Sequence, residues 1–321
     1  MKKISQTQIA KITGVAQCTV SRVLRGTEGV SVETREKVLA ALRQNNYRSA
    51  ELLPVAVLAA EVAAKNIYNV QLLGAINQEL EKQGIVFEVI FRNNMKLLLS
   101  RSSAGIISIC YDHRFEREIS GLLSIPIVGV NTNSNFRTEI FSVCSDEKRA
   151  MRQACRSLFE AGHRKIGCLC RLYSSEYSHK LRKSEFSKQC EELGIHGEIA
   201  EVTGNLGKTM RNMADRAITG IIIASEQWSH DVRRALILAK LRVPEDISVI
   251  AWADSQDYGM EQLNLTTLCQ DYKSLARESV KLLRHQIMHE FVSTRNITVP
   301  YFYTSRGSEG IAHSAGSVPR H

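Results

Sequence analysis

Gly14–Gly26 reads GVAQCTVSRVLRG: a glycine, a polar run, three apolar positions (Val20, Val23, Leu24) at helical spacing, then a second glycine. This is too few apolar residues for a core helix and too regular a pattern for a loop. The reading it predicts is a helix with one narrow inward edge and a polar face turned outward. Upstream, Ser5-Gln6-Thr7-Gln8 has the form of a capping box, in which Ser5 caps the Gln8 amide and Gln8 reaches back. Ile9 and Ile12 then supply one apolar turn before Gly14 ends that helix. Downstream, Gly26 and Gly29 break the chain, and Ser31 caps a third helix, Val32 to about Asn45, with Val38, Leu39 and Leu42 inward. Two short helices joined through a glycine turn and braced by a third make a helix-turn-helix. Its second helix, Gln17–Leu24, exposes Gln17, Cys18, Ser21 and Arg22, groups suited to base edges and phosphates in a major groove. Ala16 stands where a serine would cap that helix.

Charge points the same way. The chain has 321 residues and a formal net charge of +9. Residues 1–50 hold nine Lys/Arg against three Glu, so +6 of the charge sits on the head and +3 on the remaining 271 residues. A basic head on a nearly neutral body implies a polyanion partner for the head, whereas charge alone is equally met by a solvated basic surface. No run approaches twenty apolar residues, and the N-terminus lacks the apolar core of a secretory signal, so a membrane is not expected and a cytoplasmic location is. The eight cysteines are scattered through apolar or helical contexts and read as reduced thiols. Cys168 and Cys170 are too close for a CxxC, and no histidine pair has ligand spacing, so neither metal nor cofactor is expected.

The body, too long for one core, alternates strand and helix. VAVLAAE (55–61), IVFEVIF (85–91), AGIISIC (104–110) and IPIVGV (125–130) read as buried parallel strands, with helices at Val70–Gln83 and Arg114–Leu123 between them. A second series follows: helix Glu147–Ala161, then KIGCLC (165–170), EIAEV (198–202), GIIIA (220–224) and ISVIAW (247–252), separated by helices Leu181–Glu192 and His230–Leu241. Two doubly wound α/β lobes are expected, with ligands beyond the carboxyl ends of the strands, in the cleft between them.

IAKITGVAQCTVSRVLRG followed by VSVETREKVLAALRQNNYR resembles the DNA-binding head of the lactose-repressor (LacI/GalR) family. EAGHRKIGCL (160–169), RVPEDISVIAWAD (242–254) and LTTLCQD (265–271) resemble three stretches of its body, in the right order, so the likeness runs from about residue 4 to 308. The resemblance implies a small all-α helix-turn-helix head on a two-lobed, periplasmic-binding-protein-like body of two doubly wound parallel sheets. It implies a head at 1–47 and a shortened hinge at 48–54. The N-terminal lobe would be 55–143 with 270–296, the C-terminal lobe 144–269 with 297–308, and a disordered tail would follow from 309 to 321. The implied function is a repressor controlled by a small metabolite. The implied partners are a pseudo-palindromic double-stranded operator and a second copy of the chain. No heptad run follows Arg306, so no tetramer-forming tail is expected.

Candidate DNA contacts are Ser5, Thr7, Gln17, Cys18, Thr19, Ser21, Arg22, Arg25 and Ser31. For the effector, the resemblance implies a polar contact at Asn131, an arginine that bonds ligand hydroxyls or a carboxylate at Arg182, and a cleft-lining residue at Gln270. Two departures accompany these. Ser225-Glu226 stands where the family has Asn-Asp, and Ala253 where an aspartate grips a sugar, with Asp254 beside it. Trp252 is either a stacking platform or core. An arginine beside a site lacking its acceptor carboxylate predicts an anionic or carbonyl-rich metabolite, anchored by Arg182 with Asn131, Ser225 and Gln270 around it.

The connector is also short. Seven residues, 48–54, span at most about 25 Å, and Pro54 bars a helix from running into the strand. The family's hinge helix, which wedges a leucine into the minor groove, is therefore not expected in full; Leu52 and Leu53 either wedge or simply pack. Three rivals remain. A solute-binding protein would need a signal peptide and no basic head. An enzyme would need a nucleophile, metal or phosphate loop: TGNLGK (203–208) lacks the P-loop length and ending, and His163, Asp146 and Ser157 have the residue types of a triad but lie along one helix and its end. A ligand-independent repressor would keep the fold with a vestigial pocket.

Overall fold

The protein's computed structural model describes residues 4–24, 29–45, 47, 54–59, 67–95, 97–100, 103–109, 125–132, 140–171, 177–202, 204–228, 231–253, 264–288 and 290–312. The chain divides into two compact units, Met1–Cys144 with Tyr272–Thr298, and Ser145–Asp271 with Val299–His321.

The first unit opens with α1 (Gln6–Thr13), α2 (Gln17–Leu24) and α3 (Val32–Gln44). The Ser5 capping box is formed as the sequence predicts, and Gly14 ends α1 with φ +66°, a left-handed backbone that glycine adopts without steric cost. Ile9, Val20, Val23, Val38, Leu39 and Leu42 are buried in one cluster that also takes in Ala104, with Tyr47 and Ile287 packed against it. Ile12, expected inward, is 54% exposed. Thr13 takes the buried place at the end of α1 and turns its hydroxyl back to the Ile9 carbonyl at 2.7 Å.

The remainder of the unit is β1 (Val55–Ala59), α4 (Ile67–Glu81), β2 (Phe87–Phe91), the short α5 (Leu97–Ser100), β3 (Gly105–Ser108), β4 (Ile127–Val130) and most of β5 (Phe141–Ser145). The helix expected at Arg114–Leu123 lies outside the described residues, as does the connector from 48 to 53. The second unit adds α6 (Glu147–Glu160), β6 (Lys165–Arg171), α7 (Tyr177–Leu193), β7 (His196–Val202), α8 (Leu206–Asp215), β8 (Gly220–Ile223), α9 (Val232–Ala239), β9 (Ser248–Ala253) and β10 (Thr266–Cys269). The chain returns to the first unit as α10 (Tyr272–Ile287) and β11 (Asn296–Val299), then ends in the second with β12 (Phe302–Thr304).

Each unit holds a six-stranded sheet, ordered β11-β5-β4-β3-β1-β2 in the first and β12-β10-β9-β8-β6-β7 in the second. Strand order reverses at β1/β3 and at β6/β8, which are the switch points of two doubly wound sheets. In register, Val57 faces Ile107, and Cys168, Ile222 and Ile250 lie in one row. The sheets are not parallel throughout: at the edge of the second, β12 runs antiparallel to β10. β1, β8 and β9 are buried at every position, as strands covered on both faces must be, while edge strand β2 exposes Val89 and Phe91.

In the second unit the two faces of the sheet are legible residue by residue. Leu169, Ile221, Val249 and Ala251 pack with α8 and α9, whereas Ile166, Cys168, Ile222, Ile250 and Trp252 pack with α6 and α7. The tail is a correction. Residues 309–312, expected to be disordered, are held: Gly310 lends its carbonyl to His163, Glu309 accepts from Ser305 at 2.6 Å, and the Ala312 amide donates to Ala161 O at 2.9 Å. These polar anchors carry no apolar periodicity, so patterning does not reveal them. Residues 313–321 lie outside the described residues.

Candidate functional site

Two places bring the candidate residues together. On α2, buried Val20 and Val23 face the head cluster and leave Gln17, Cys18 and Arg22 exposed, with Thr19 and Ser21 half-buried beside them. Gln17 with Ser21, and Cys18 with Arg22, are each one turn apart and so share a face. Ala16 contributes only its backbone to the start of α2, its carbonyl accepting from the Thr19 and Val20 amides. Gln17 Nε2 donates to Gln6 Oε1 at 2.8 Å, tying the first turn of α2 to α1. Ser5 caps α1, Thr7 is exposed on it, and Ser31 Oγ caps α3 through the Thr34 amide at 3.3 Å. Arg25 lies outside the described residues, and Arg35, one of the head's basic residues, is buried.

The second place is at the carboxyl ends of β8, β9 and β10 in the second unit, where open sheets bind ligands. Arg182, on α7, is 1% exposed, and both of its edges are taken. Nε and Nη2 grip Glu147 at 2.7 and 3.1 Å, while Nη1 and Nη2 grip Glu226 at 2.9 and 2.6 Å. Nη1 also donates to Ala224 O at 3.1 Å and Nη2 to the Tyr301 hydroxyl at 3.0 Å, which in turn donates to Glu147 at 2.7 Å. The guanidinium lies 4.9 Å from the Trp252 ring, and Trp252 meets Tyr301 edge-on. Gln270 Nε2 reaches Glu226 at 3.2 Å, and Ser145 Oγ donates to Gln270 Oε1 at 2.9 Å. Burial pushes the Glu226 carboxyl up, but Arg182 against it outweighs that and holds it down at about 2. Burial lowers the Arg182 pKa, and the two carboxylates overcome this and raise it well above its ordinary value.

The reading of Arg182 as an anchor beside a missing carboxylate is thus corrected: Glu226 supplies that carboxylate, and Glu147 adds another. Every N–H of the guanidinium already has an acceptor. Trp252 is core, fully buried on β9. Ser225 is brought to the cluster by its place after β8; its Oγ is buried and has no hydrogen-bond partner, and the same is true of Trp252 Nε1. Asp254 lies outside the described residues. Asn131 belongs to the first unit. It follows β4 with φ +50°, and its Nδ2 donates to the Tyr68 hydroxyl at 2.9 Å, with Tyr68 edge-on to Tyr272.

The residue types of a catalytic triad do separate structural work. His163 is buried between Thr219 Oγ1 at 2.8 Å and Ser248 Oγ at 3.0 Å; Asp146 caps α6; Ser157 pairs with Tyr303. Among the described residues, no group of His, Cys, Asp or Glu has the arrangement to hold a metal ion, and no helix is long and apolar enough to cross a membrane.

Comparison with known proteins bears on both places. Residues 7–49 match the model of bacterial regulatory proteins of the lacI family, and residues 155–308 match that of the periplasmic binding protein-like domain. The chain thus joins a lacI-family DNA-binding head to a periplasmic binding protein-like body. Proteins similar to it include the HTH-type transcriptional repressor PurR of Haemophilus influenzae, 24% identical over 88% of this chain and 90% of that protein. The lactose operon repressor of Escherichia coli K12 is 27% identical over 88% of this chain and 84% of its own. Among solved structures, the lac repressor dimer bound to operator and the anti-inducer ONPF superposes with a TM-score of 0.69, at 24% identity, over 96% of this chain and all of that one. The regulator CelR in complex with cellobiose gives 0.67 at 22% identity, over 95% and 100%. At these identities the structures establish the fold.

Within that fold, three cluster members were missed by sequence reasoning: Glu147, Glu226 as a partner of Arg182, and Tyr301. Glu147 follows the N-cap Asp146 in the first turn of α6, where a carboxylate reads as complementing the helix dipole. Its 6% exposure was the missing signal.

Proposed function

We propose that this chain is a LacI-family, sequence-specific transcriptional repressor. It binds a pseudo-palindromic double-stranded operator as a homodimer and answers to a small ligand at the carboxyl ends of the second unit's strands. The observation that carries this reading is the face of α2: Gln17 and Cys18 in its first turn and Arg22, one turn on from Cys18, stand exposed on a helix whose other edge is locked into the head by Val20 and Val23. Support comes also from the relatives, which are named as repressors, and from the lac repressor, described as a dimer on its operator. One head offers too little contact for tight specific binding, which favours two. The residues assigned to DNA are Ser5, Thr7, Gln17, Cys18, Thr19, Ser21, Arg22, Arg25 and Ser31. The ligand is assigned to Ser225, Gln270 and Asp254, with Arg182 acting through Glu226; Asn131 is a separate candidate contact on the first unit. The head is taken to end at residue 47 and the body to start at 55.

Selection of operators from a random duplex pool by the full chain tests the proposal. A palindromic consensus, bound with one dimer per site, supports it; recovery of unrelated sequences with uniform affinity refutes it. A second reading, a repressor that needs no ligand, is favoured by one observation: Arg182 already has all its acceptors. On that reading no metabolite in a thermal-shift screen raises the melting temperature of the chain or changes its affinity for the selected operator.

A further inference from the structure

We propose that Glu226 is a built-in counter-anion that fills the face of Arg182 an anionic ligand would use, so that it selects against phosphate- and carboxylate-bearing effectors. This rests on the second unit carrying the effector site. A guanidinium offers two edges that can hold an oxyanion by paired hydrogen bonds. Glu147 holds one edge of Arg182 and Glu226 the other. The remaining donor capacity goes to a backbone carbonyl and to Tyr301.

Exposure decides which charge a ligand meets. Arg182 is 1% exposed and Glu226 is 13% exposed, so the accessible group is a carboxylate oxygen, an acceptor. Two carboxylates, Glu147 and Glu226, flank the guanidinium, with buried His179 also acting on Glu226, and the group an incoming anion meets first is the Glu226 carboxylate. To reach Arg182 it would have to displace Glu226, replacing one paired carboxylate by another and stranding a buried charge whose other side-chain partner is Gln270. A hydroxyl or amine, in contrast, can donate to the outer oxygen of Glu226. Ser225 Oγ, buried without a partner beside Ala224, is a further open valence next to it. Glu226 is in this sense a positioning and specificity residue, and no bond is made or broken.

The test uses the full chain, with inorganic phosphate as the probe and chloride at matched ionic strength as the control. Both tryptophans of the chain, Trp228 and Trp252, lie in the second unit, so their emission reports this unit and not phosphate bound to the basic head. Wild type is expected to show no saturable response to phosphate beyond that to chloride. Glu226→Ala, which vacates the outer edge of Arg182, is expected to gain a saturable response with half-saturation at least about tenfold below any wild-type value, or about 1.4 kcal/mol. Arg182→Met in the Glu226→Ala background abolishes the gain. Glu226→Gln keeps a neutral acceptor on the guanidinium and gives an intermediate gain if the alanine variant does not fold. Saturable phosphate binding by wild type that is lost in Arg182→Met overturns the proposal, as does a folded Glu226 variant with no gain. Operator binding by the head is measured separately, so failure here is distinct from failure of the repressor reading.

Discussion

Protonating Glu226 should remove a defined part of the second unit's stability, and Glu226→Gln should mimic that loss at neutral pH. The carboxyl is held at about 2 in the folded chain, against an ordinary 4.5, by the Arg182 guanidinium. A group whose folded pKa is depressed binds its proton less tightly in the folded than in the unfolded state. Its contribution is therefore complete above the unfolded pKa and disappears as pH falls from about 4.5 through about 2. At about 1.4 kcal/mol per pH unit, the ionised form contributes on the order of 3 kcal/mol at pH 7, and linkage leaves roughly 1 kcal/mol of it at pH 3. Burial and pairing justify using the figure undiscounted, since Glu226 is 13% exposed and grips Arg182 with two bonds. Arg182 keeps Glu147 in the variant, so the loss is that of one partner and not of the whole pair. The assay is urea unfolding followed by tryptophan emission, which reads the second unit, in wild type and Glu226→Gln at pH 7 and pH 3. The difference between the two proteins should shrink by about 2 kcal/mol on acidification. A difference that stays constant with pH would show that Glu226 stabilises by packing and that its charge does not matter.

Other consequences are checkable in the same preparations. Arg22→Ala should cost about 1–3 kcal/mol of operator affinity and relax discrimination at one base pair, seen by titrating single-substitution operators; a uniform loss across all sequences would make Arg22 a phosphate contact only. Gly207→Ala should destabilise the second unit by about 1–3 kcal/mol, because a Cβ there falls 2.6 Å from the Ala235 carbonyl oxygen, a backbone atom that cannot turn aside. Its urea midpoint is the measurement, and an unchanged midpoint would mean that α8 and α9 part freely. With seven residues in place of a full hinge, bending of the selected operator should be weak and central base steps tolerant, with steep salt dependence. A strong bend in circular-permutation gel shifts, lost in a Leu52→Ala, Leu53→Ala double variant, would refute this.

The architecture was legible where burial is complete and the period is unambiguous. Strands such as 220–223 and 248–253 are apolar along their length because helices cover both faces, and runs of that kind need no tertiary information to read. The head was legible for another reason: Ser5 and Gly14 mark the ends of α1 chemically, so its limits do not depend on packing. Less was legible at edges. β7 (His196–Val202) carries charge along its length, and β11 and β12 are three or four residues long, so their pairing and the direction of β12 depend on what the chain has already built. α8 went unread because GNLGKTMRNMAD gives only Leu206, Met210, Met213 and Ala214 as its inner face, interrupted by glycine and asparagine.

The ligand cluster was half legible, and the missing half is electrostatic. Arg182, Ser225 and Gln270 were found because the family resemblance implies polar, ligand-facing groups at those positions. Their partners could not be read the same way, because α7 buries a polar stripe, Arg182, Glu185 and Gln189 at three- and four-residue spacing, where sequence patterning assigns charges to solvent. A buried arginine requires carboxylates, since its desolvation is offset only by paired, hydrogen-bonded charge. Once Arg182 is known to be buried, the requirement can be run backwards. At least one carboxylate must then lie within reach on a neighbouring element, and this arginine has two. Glu147 and Glu226 are the residues that meet it. A side chain one methylene longer than aspartate reaches the guanidinium with both oxygens, and a group that reads in sequence as a departure is, in the folded chain, the acceptor that the arginine needs.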